Sequence, residues 1–196
     1  MAIAASYSVW VLWVVSWAIA SVWSSRATAR ARTSGHLLHW AVTIAGFLIL
    51  FESVGPRRYG YRWRPDIVTS GADSPWQWAM FGVVVAGFVF AWWARIHLGS
   101  LWSARVTRKA DHHIVDTGPY GLVRHPIYTG LILSSLGLAA QEARISGWVG
   151  AVLIAAGFWL KASLEERFLR EQLGPDDYDA YRVRTPMLVP FLRLPR

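Results

Sequence analysis

The chain contains no cysteine and few charged residues. With no cysteine among 196 residues, a disulfide framework, a thiolate nucleophile and a cysteine-based metal site are all excluded. Charged residues make up 16%, below the roughly 25% typical of soluble domains. Signatures of common hydrolases and nucleotide-binding proteins are absent too, since there is no G-x-S-x-G, no Walker loop and no G-x-G-x-x-G after a strand. These absences exclude an ordinary soluble domain and several large enzyme classes.

Apolar residues dominate what is present. They make up 54% of the chain, and the mean hydropathy is +0.30. Five apolar segments come near the roughly 20 residues that a bilayer crossing needs, although the fourth is short and holds two glycines. They are Ile3–Trp23, His36–Val54, Trp76–Leu98, Ile127–Gln141 and Ile145–Leu164. The pattern predicts an all-α, polytopic membrane protein with about five transmembrane helices.

Tryptophan is frequent, with thirteen residues, and this residue type gathers at the level of the lipid headgroups. We place five of them in or near the ends of predicted spans: Trp10, Trp23, Trp76, Trp78 and Trp102.

The basic residues concentrate on one predicted side of the membrane. Fifteen Lys and Arg fall in the 24–35 loop, the Arg95–Arg124 region and the tail from Lys161, and five fall in the 55–75 loop and at Arg144. The positive-inside rule then places the N-terminus outside and the C-terminus in the cytoplasm. Because topology and headgroup contact explain nearly all of these charges, we expect membrane lipids and no nucleic acid as partners. The basic segment 55–65 lies on the other side, and the pattern does not explain it.

We interpret residues 1–196 as a single integral-membrane domain. Residues 1–98 hold the first three spans, and residues 99–196 hold the two informative polar pieces, the 99–126 loop and the tail. Pro126 suits the first turn of the fourth span, because its missing N–H has no partner there in any case. The fifth helix should run past the membrane to Gly174-Pro175, and Asp176 and Asp177 should cap a short helix through Tyr181.

Two polar clusters end hydrophobic spans on the same predicted side. The first is HHIVDTGPYGLVRHPIYTG at 112–130, and the second is KASLEER at 161–167. Ionisable residues next to a bilayer are expensive and are a functional hypothesis by default. The two clusters therefore predict one site that faces the cytoplasm, formed by the 99–126 loop and the C-terminal tail.

The second cluster offers a cation and an anion on a common helix face. Lys161 and Glu165 are four residues apart, whereas Glu166 lies about 100° around the helix, so the two carboxylates should not point the same way. One interpretation is an ordinary ion pair that ends a membrane helix at the headgroups. The other is a site for a zwitterionic or amino-acid-bearing ligand.

The rings of the first cluster allow further interpretations. Three histidines at 112, 113 and 125 do not predict a metal site, because adjacent side chains diverge and no His-x3-His pair is present. Tyr120 and Tyr128 flank the Arg-His-Pro step and offer aromatic faces to a flat base or a sulfonium cation. They fit equally well as two interfacial tyrosines.

Taken together, the motifs resemble the isoprenylcysteine carboxyl methyltransferase family of integral-membrane enzymes that use S-adenosylmethionine. The resemblance covers roughly Trp102 to Leu192. Its first stretch is His112-His113-Ile114-Val115, then Gly118-x-Tyr120, then Arg124-His125-Pro126-Ile127-Tyr128-Thr129-Gly130. Its second stretch is Glu165-Glu166, followed by Leu169, Gly174, Tyr178, Tyr181, Pro186 and Pro190-Phe191.

The resemblance implies a set of residue roles. The walls of the S-adenosylmethionine pocket would be His112, His113, Ile114, Val115, Tyr120, His125, Pro126, Ile127 and Tyr128. Glu165 would hold the ammonium group of the cofactor, and Arg105 stands where some relatives contribute with a different side chain. Lys161 occupies the place of an arginine thought to grip the acceptor carboxylate. Lysine offers a point charge in place of a bidentate fork, which bears on the choice of acceptor.

The sequence-based hypothesis is methyl transfer from S-adenosylmethionine to a lipophilic acceptor in the bilayer, with a prenylated C-terminal cysteine implied by the family. Phospholipid amines and small thiols are alternative acceptors. A related membrane fold also occurs in sterol reductases, but no nicotinamide site is recognisable. A non-catalytic membrane scaffold is the alternative from another class. The oligomeric state cannot be read from the sequence.

Overall fold

The computed structural model describes residues 1–23, 36–51, 74–99 and 114–192, together with a two-residue antiparallel ladder between β1 (Ala29–Arg30) and β2 (Thr107–Arg108). All other regular structure in these ranges is helical. The helices are α1 (Ala2–Ala20, continued by a 3₁₀ turn at Ser21–Trp23), α2 (His36–Phe51), α3 (Pro75–Leu98), α4 (Pro119–Leu122), α5 (Pro126–Glu142), α6 (Ile145–Leu173) and α7 (Pro175–Arg184).

Three of these helices are long and apolar enough to cross a membrane. They are Ala2–Ala20, Pro75–Leu98 and the Ile145–Glu171 part of α6. The second and fourth predicted spans coincide with α2 and α5, which have 16 and 17 residues. Both are shorter than the roughly 20 residues of a full crossing. The prediction of a helical chain is confirmed, and five complete spans remain a prediction.

The ends of the helices follow local sequence signals. The Ser74 side chain accepts a hydrogen bond from the backbone N–H of Gln77, and Pro75 occupies the first turn of α3. Pro126 likewise opens α5, as the sequence predicts. Gly174, at φ 96°, ends α6 in a conformation that favours glycine, and α7 follows directly. The expected short helix exists but extends to Arg184, and the predicted capping is wrong: Gly174 is the N-cap, and Asp176 and Asp177 lie in the first turn.

Glycine faces bring two pairs of helices into close contact. α2 packs along α6, where Gly46 and Gly150 face each other, and α3 packs along α5, where Gly87 and Gly130 do the same. Lipid supplies no hydrophobic driving force between helices, so their association depends on close packing. Small residues let the helix backbones approach closely enough for this. The glycines thus pack helices within the chain, a role that the sequence pattern did not indicate.

An aromatic cluster fills the space between α1, α2 and α3. Trp10 is 3% exposed and makes edge contacts with Phe47, Phe51 and Phe88, at centroid distances of 5.7, 5.3 and 4.6 Å. The placement of Trp10 near a span end is therefore wrong. Its side chain belongs to the core, because α1 presents it to two neighbouring helices and not to headgroups.

The packing gathers the polar residues at one end of the bundle. α5 runs antiparallel to α3 and α6, so its first residues lie beside the last turns of both. Arg95 near the end of α3 donates to the carbonyl groups of Ala20 and Gly99, which ties the ends of α1 and α3 together. The start of α5 and the end of α6 therefore meet at one level.

Replacing Gly150 by alanine should destabilise the protein. A Cβ there would lie 2.6 Å from the backbone nitrogen of Leu50 and 2.8 Å from the carbonyl oxygen of Gly46, so the two helices would have to separate. We expect a loss of about 2 kcal/mol, measured by denaturant or thermal unfolding in detergent. Gly82→Ala is the matched control, since nothing lies within 4 Å of its Cβ position. Equal stability of the two variants would contradict the close packing of α2 and α6.

Candidate active site

The start of α5 is fixed by the C-terminal tail. The backbone N–H groups of Arg124 and His125 donate to the carbonyl oxygens of Pro186 and Met187, at 2.9 and 3.1 Å. One turn on, the Thr129 hydroxyl donates to the carbonyl oxygen of Leu188 at 2.6 Å. Because the tail pairs with the residues just before Pro126, it determines where the His125 side chain points.

His125 lies between two carboxylates of α6. Its Nδ1 is 3.5 Å from Oε2 of Glu165, and its Nε2 is 3.3 Å from Oε1 of Glu166. The expectation that adjacent carboxylates diverge is compatible with this contact, because an imidazole presents its two nitrogens on different sides. One ring thus contacts both carboxylates, which the sequence predicts to point in different directions.

The three side chains are largely hidden from solvent. Side-chain exposure is 7% for His125, 15% for Glu165 and 8% for Glu166. Burial opposes the charged imidazole, but hydrogen bonds to both carboxylates outweigh this and raise the pKa of His125 above its ordinary value. The site therefore favours an imidazolium that compensates two buried carboxylates.

Glu166 also holds two arginines from outside its helix. The Arg124 Nε donates to Oε1 of Glu166 at 2.7 Å, and the Arg182 Nε lies 3.3 Å from Oε2. Arg124 further donates to the carbonyl oxygens of Arg182 and Thr185. Glu166 thus anchors the loop before α5 and the end of α7, which makes it a positioning residue for the tail.

Glu165 has a different set of neighbours. The Tyr128 hydroxyl donates to its Oε1 at 2.7 Å, and the Lys161 Nζ lies 3.9 Å from the same oxygen. The Lys161 ammonium also lies 5.1 Å from the centroid of the Tyr128 ring and 5.9 Å from that of Trp40. The ordinary ion pair considered from the sequence is present, but it belongs to a larger polar and aromatic cluster.

A continuous ring stack supports this cluster. His125 and Tyr128 lie 5.5 Å apart with an interplanar angle of 6°, and Tyr128 and Phe158 lie 5.0 Å apart with an angle of 15°. Stacked rings limit the motion of each other's side chains. The stack therefore fixes the Tyr128 hydroxyl and the His125 nitrogens relative to α6.

The structure brings some predicted site residues together and not others. His125, Tyr128, Glu165 and Lys161 form one cluster. Pro126 opens α5 and is fully buried, and Ile127 packs into the hydrophobic core, so both support the cluster from behind. Ile114 and Val115 are partly buried at the start of the described segment that leads to α4. Arg105, His112 and His113 lie outside the described residues.

Tyr120 connects the loop to α7 mainly through its backbone. Its carbonyl oxygen accepts a hydrogen bond from the Tyr181 hydroxyl at 2.7 Å, while its own ring stacks on His97 at 6.4 Å. Asp116 and Arg184 add an exposed ion pair at 3.4 Å. The 114–126 part of the loop therefore lies against α7 and the tail. A pocket formed by the 99–126 loop and the C-terminal tail remains a prediction.

Sequence reasoning did not assign roles to several residues of this cluster. Arg124 and Glu166 lie inside the recognised motifs, next to His125 and Glu165. Their opposite charges were the feature of the sequence that could have indicated an ion pair between them. Arg182, Phe158 and Trp40 had no such signal. Arg182 and Trp40 join the site only because α7 and α2 fold against α6, and Phe158 of α6 joins it because α5 brings Tyr128 onto its ring. Local patterns do not reveal this packing.

Replacing Glu166 by alanine should loosen the tail. Arg124, 9% exposed, would lose its carboxylate partner while it stays buried, and removal of one partner from a buried pair costs about 3 kcal/mol. We expect a loss of this size in unfolding free energy and faster proteolysis after residue 174. Glu171→Ala, on an exposed part of the same helix, is the control. A Glu166 variant as stable as this control would contradict the anchoring role.

Stability should fall as pH rises above about 6.5. Because the pKa of His125 is raised in the folded protein, its protonated form stabilises the fold. This contribution to the free energy of unfolding is fully present below the unfolded pKa of about 6.5. It is lost as pH rises through the folded pKa. The measurement is the unfolding temperature in detergent from pH 5.5 to pH 9, for the wild type and for His125→Gln. The exposed His97→Gln variant should keep the wild-type slope, and an identical slope in His125→Gln would refute the assignment.

Comparisons with known proteins agree with this arrangement. Residues 79–171 match the isoprenylcysteine carboxyl methyltransferase family. A protein-S-isoprenylcysteine O-methyltransferase of Schizosaccharomyces pombe is 27% identical over 134 residues, 65% of this chain and 55% of the relative. Protein-S-isoprenylcysteine O-methyltransferase B of Arabidopsis thaliana is 28% identical over 127 residues, 62% of this chain and 64% of the relative.

A relative with a different name matches more of the chain. The cobalt-zinc-cadmium resistance protein CzcN of Cupriavidus metallidurans is 29% identical over 177 residues, 88% of this chain and 71% of the relative. In contrast, the chain spans less than two thirds of the length of the two methyltransferases named above. The family match contains α4, α5 and most of α6, which carry His125, Tyr128 and Glu165. Residues 79–171, a little under half of the chain, are therefore similar to the isoprenylcysteine carboxyl methyltransferase family.

Proposed function

We propose that this chain transfers a methyl group from S-adenosylmethionine to the carboxylate of an isoprenylated cysteine or a similar lipophilic acid. The observation that carries the proposal is the placement of Lys161 and Glu165 on one face of α6, with an Nζ–Oε1 distance of 3.9 Å, beside the aromatic stack of Tyr128. A cation and an anion side by side suit a reaction that needs an acceptor acid and a donor amino acid at one point. The similarity of residues 79–171 to the isoprenylcysteine carboxyl methyltransferase family supports methyl transfer as the reaction.

The donor set near Glu165 fits S-adenosylmethionine. This cofactor carries an ammonium group, a sulfonium and a flat base, for which a carboxylate and aromatic faces are suitable partners. Glu165 would hold the ammonium, and Tyr128 and His125 would form part of the wall. When bound, S-adenosylmethionine supplies an electrophilic methyl group, and as a carboxylate oxygen forms the new C–O bond the C–S electron pair returns to sulfur.

The chain's own residues have few chemical steps to perform. A carboxylate acceptor is already ionised and needs no general base. The protein therefore has to align the acceptor and exclude water. Lys161 would orient the acceptor carboxylate, while Tyr128 and His125 hold Glu165 in a fixed orientation. The tail pairing at Pro186 and Met187 closes one side of this region.

The state of His125 favours an acid over an amine as acceptor. An amine acceptor has to lose a proton, and a histidine is the natural base near neutral pH. His125 is held between Glu165 and Glu166; burial opposes the charged imidazole, but hydrogen bonds to both carboxylates raise its pKa. Both ring nitrogens already face carboxylates, so His125 is poorly placed to take a proton from an amine, and phospholipid amines are poorer candidates than carboxylates.

We further propose how the domain lies in the membrane. Residues 1–98 would supply the first three spans, and residues 99–196 the cofactor-binding half, in one domain with five crossings. The cytoplasmic excess of Lys and Arg supports an outside N-terminus and a cytoplasmic site. A water-borne donor could then reach the cluster from the cytoplasm, and an oily acceptor from the bilayer.

The test of the function is methyl transfer by detergent-purified protein from labelled S-adenosylmethionine. Three acceptors are compared: an N-acetyl-S-prenylcysteine, phosphatidylethanolamine and a small alkyl thiol. The proposal requires a base-labile methyl ester on the prenylcysteine and little label on the other two. Transfer only to the lipid amine or the thiol would replace the carboxylate acceptor. A scaffold would bind no cofactor and label none of them.

Lys161→Ala should raise the KM for the prenylcysteine by roughly 10- to 150-fold, because a charge-assisted contact to the carboxylate is worth roughly 1.5–3 kcal/mol. The KM for S-adenosylmethionine should change much less. Lys161→Arg should retain most of the acceptor affinity, since arginine keeps the charge. Arg167→Ala removes an exposed cation from the same helix and serves as the control. A Lys161→Ala variant with an unchanged acceptor KM would contradict the assigned role.

A further inference from the structure

The described part of the C-terminal tail ends in a tight turn with a bulky residue at its centre. The Leu192 N–H donates to the carbonyl oxygen of Val189 at 3.2 Å, and Pro190 and Phe191 occupy the two central positions. Phe191 has a φ of 67°, so the turn is of type II, in which the second central residue is usually glycine. A large side chain in this conformation is uncommon and strains the backbone. The strain points to a role for the Phe191 ring outside the turn itself.

This turn exposes apolar side chains to its surroundings. Phe191 is 94% exposed, and Val189 and Leu192 are each 53% exposed. Because these side chains come from four consecutive residues, they form one small apolar surface, which we call the tail tip (Val189–Leu192). At this exposure the Phe191 ring gains almost no burial within the described part of the chain. The tail tip is therefore suited to an apolar environment outside the protein.

The path of the tail carries the tail tip along α5. The carbonyl oxygen of Pro186 bonds to the Arg124 N–H, and that of Leu188 bonds to the Thr129 hydroxyl, which lies further along the chain. The tail thus runs in the direction of α5, and at Thr129 it is about 4.5 Å past Pro126, the first residue of the helix, at 1.5 Å per residue. In the membrane placement proposed above, α5 enters the bilayer from the cytoplasmic side. The tail tip then lies near the boundary of headgroups and acyl chains, where aromatic side chains gather.

Positive charge accompanies the tail tip. Residues 182–196 contain four arginines and no acidic residue. Arg182 and Arg184 precede the tail tip, and their side chains are 46% and 66% exposed although each has an ion-pair partner. Arg193 and Arg196 follow it in the sequence and lie outside the described residues. Basic residues around an exposed apolar group match a lipid surface with anionic headgroups.

We infer that the tail tip is an interfacial anchor, with the Phe191 ring inserted among the lipids beside the start of α5. Its partner is the headgroup and acyl boundary of a leaflet that contains anionic phospholipid. Because the same tail bonds to the backbone of Arg124 and His125, lipid contact at Phe191 holds the tail against the residues that orient the His125 ring. The inference goes beyond methyl transfer and rests on the proposed membrane placement.

The first test measures the membrane depth of residue 191. Because the chain has no cysteine, Phe191→Cys provides a single site for a nitroxide spin label. In nanodiscs that contain phosphatidylglycerol, relaxation of the label by oxygen, which concentrates in the bilayer, is compared with relaxation by a water-soluble nickel chelate. We expect oxygen to dominate at residue 191. Asp176→Cys, at an exposed position in the first turn of α7, is the matched control and should favour the nickel chelate.

Two outcomes of this measurement would overturn the anchor. One is equal access of the nickel chelate to residues 191 and 176, which would place the tail tip in water. The other is protection of residue 191 from both reagents, which would place a protein surface, such as a second copy of the chain, on the tail tip.

The second test asks whether the anchor holds the tail. Phe191→Asn removes the ring but suits the turn, because asparagine tolerates positive φ, so lost protection cannot come from a strained turn. In the same nanodiscs the amides of Arg124 and His125, which bond to the tail, should exchange with deuterium about tenfold faster. Tenfold corresponds to about 1.4 kcal/mol, slightly less than the full burial of a phenylalanine contributes.

Phe191→Leu is the control for this exchange measurement. It keeps an apolar side chain and should exchange within about twofold of the wild type, as for a substitution that removes no specific contact. Unchanged exchange in Phe191→Asn, or equal acceleration in both variants, would contradict the role of the ring.

Neither measurement depends on methyl transfer. A lipid-embedded residue 191 in a protein that methylates none of the three acceptors would leave the anchor standing and contradict the proposed function. Methyl transfer by a protein whose residue 191 lies in water would overturn the anchor and leave the reaction standing.

Discussion

Burying the carboxylates of Glu165 and Glu166 at the end of a membrane helix requires compensating positive charge, and the surrounding structure supplies it. An uncompensated buried charge is far more costly than a pair with good geometry. His125 lies between the two carboxylates, Arg124 and Arg182 contact Glu166, and Lys161 lies near Glu165. Two separate segments, the residues just before α5 and the helix α7, are thereby held near one end of α6.

This requirement divides the two carboxylates by role. Glu166 is occupied by arginines of the loop and of α7, so it organises the fold around the site. Glu165 faces Tyr128 and Lys161, which are the side chains with aromatic and cationic character suited to ligands. His125 couples the two halves, because a displacement of the tail would move the imidazole that fixes Glu165. Under the proposed function, stability and ligand binding would share one network.

The sequence predicts the parts of this arrangement that depend on local signals. Pro126 at the first turn of α5 and Gly174-Pro175 at the end of α6 lie where the pattern indicated, and the helix carries Lys161 and Glu165 past the apolar span. Length and hydropathy also place α1, α3 and α6. These features follow from neighbouring residues along the chain.

Other features depend on which helices pack together, and no local pattern contains that information. Trp40 reaches Lys161 only because Gly46 and Gly150 let α2 and α6 approach closely. Trp10 resembles an interfacial tryptophan in sequence but is enclosed by three phenylalanines. The adjacent glutamates diverge as helix geometry requires, yet a single histidine from α5 contacts both.

The most direct test of the account is calorimetric binding of S-adenosylmethionine to the detergent-purified protein and to Glu165→Ala. The account predicts saturable binding by the wild type and a loss of at least about tenfold in affinity in the variant, the equivalent of 1.4 kcal/mol. A matched thermal unfolding profile would show that the variant is folded. Absence of binding by folded wild-type protein, or equal affinity in both proteins, would contradict the assignment of Glu165 to the donor site.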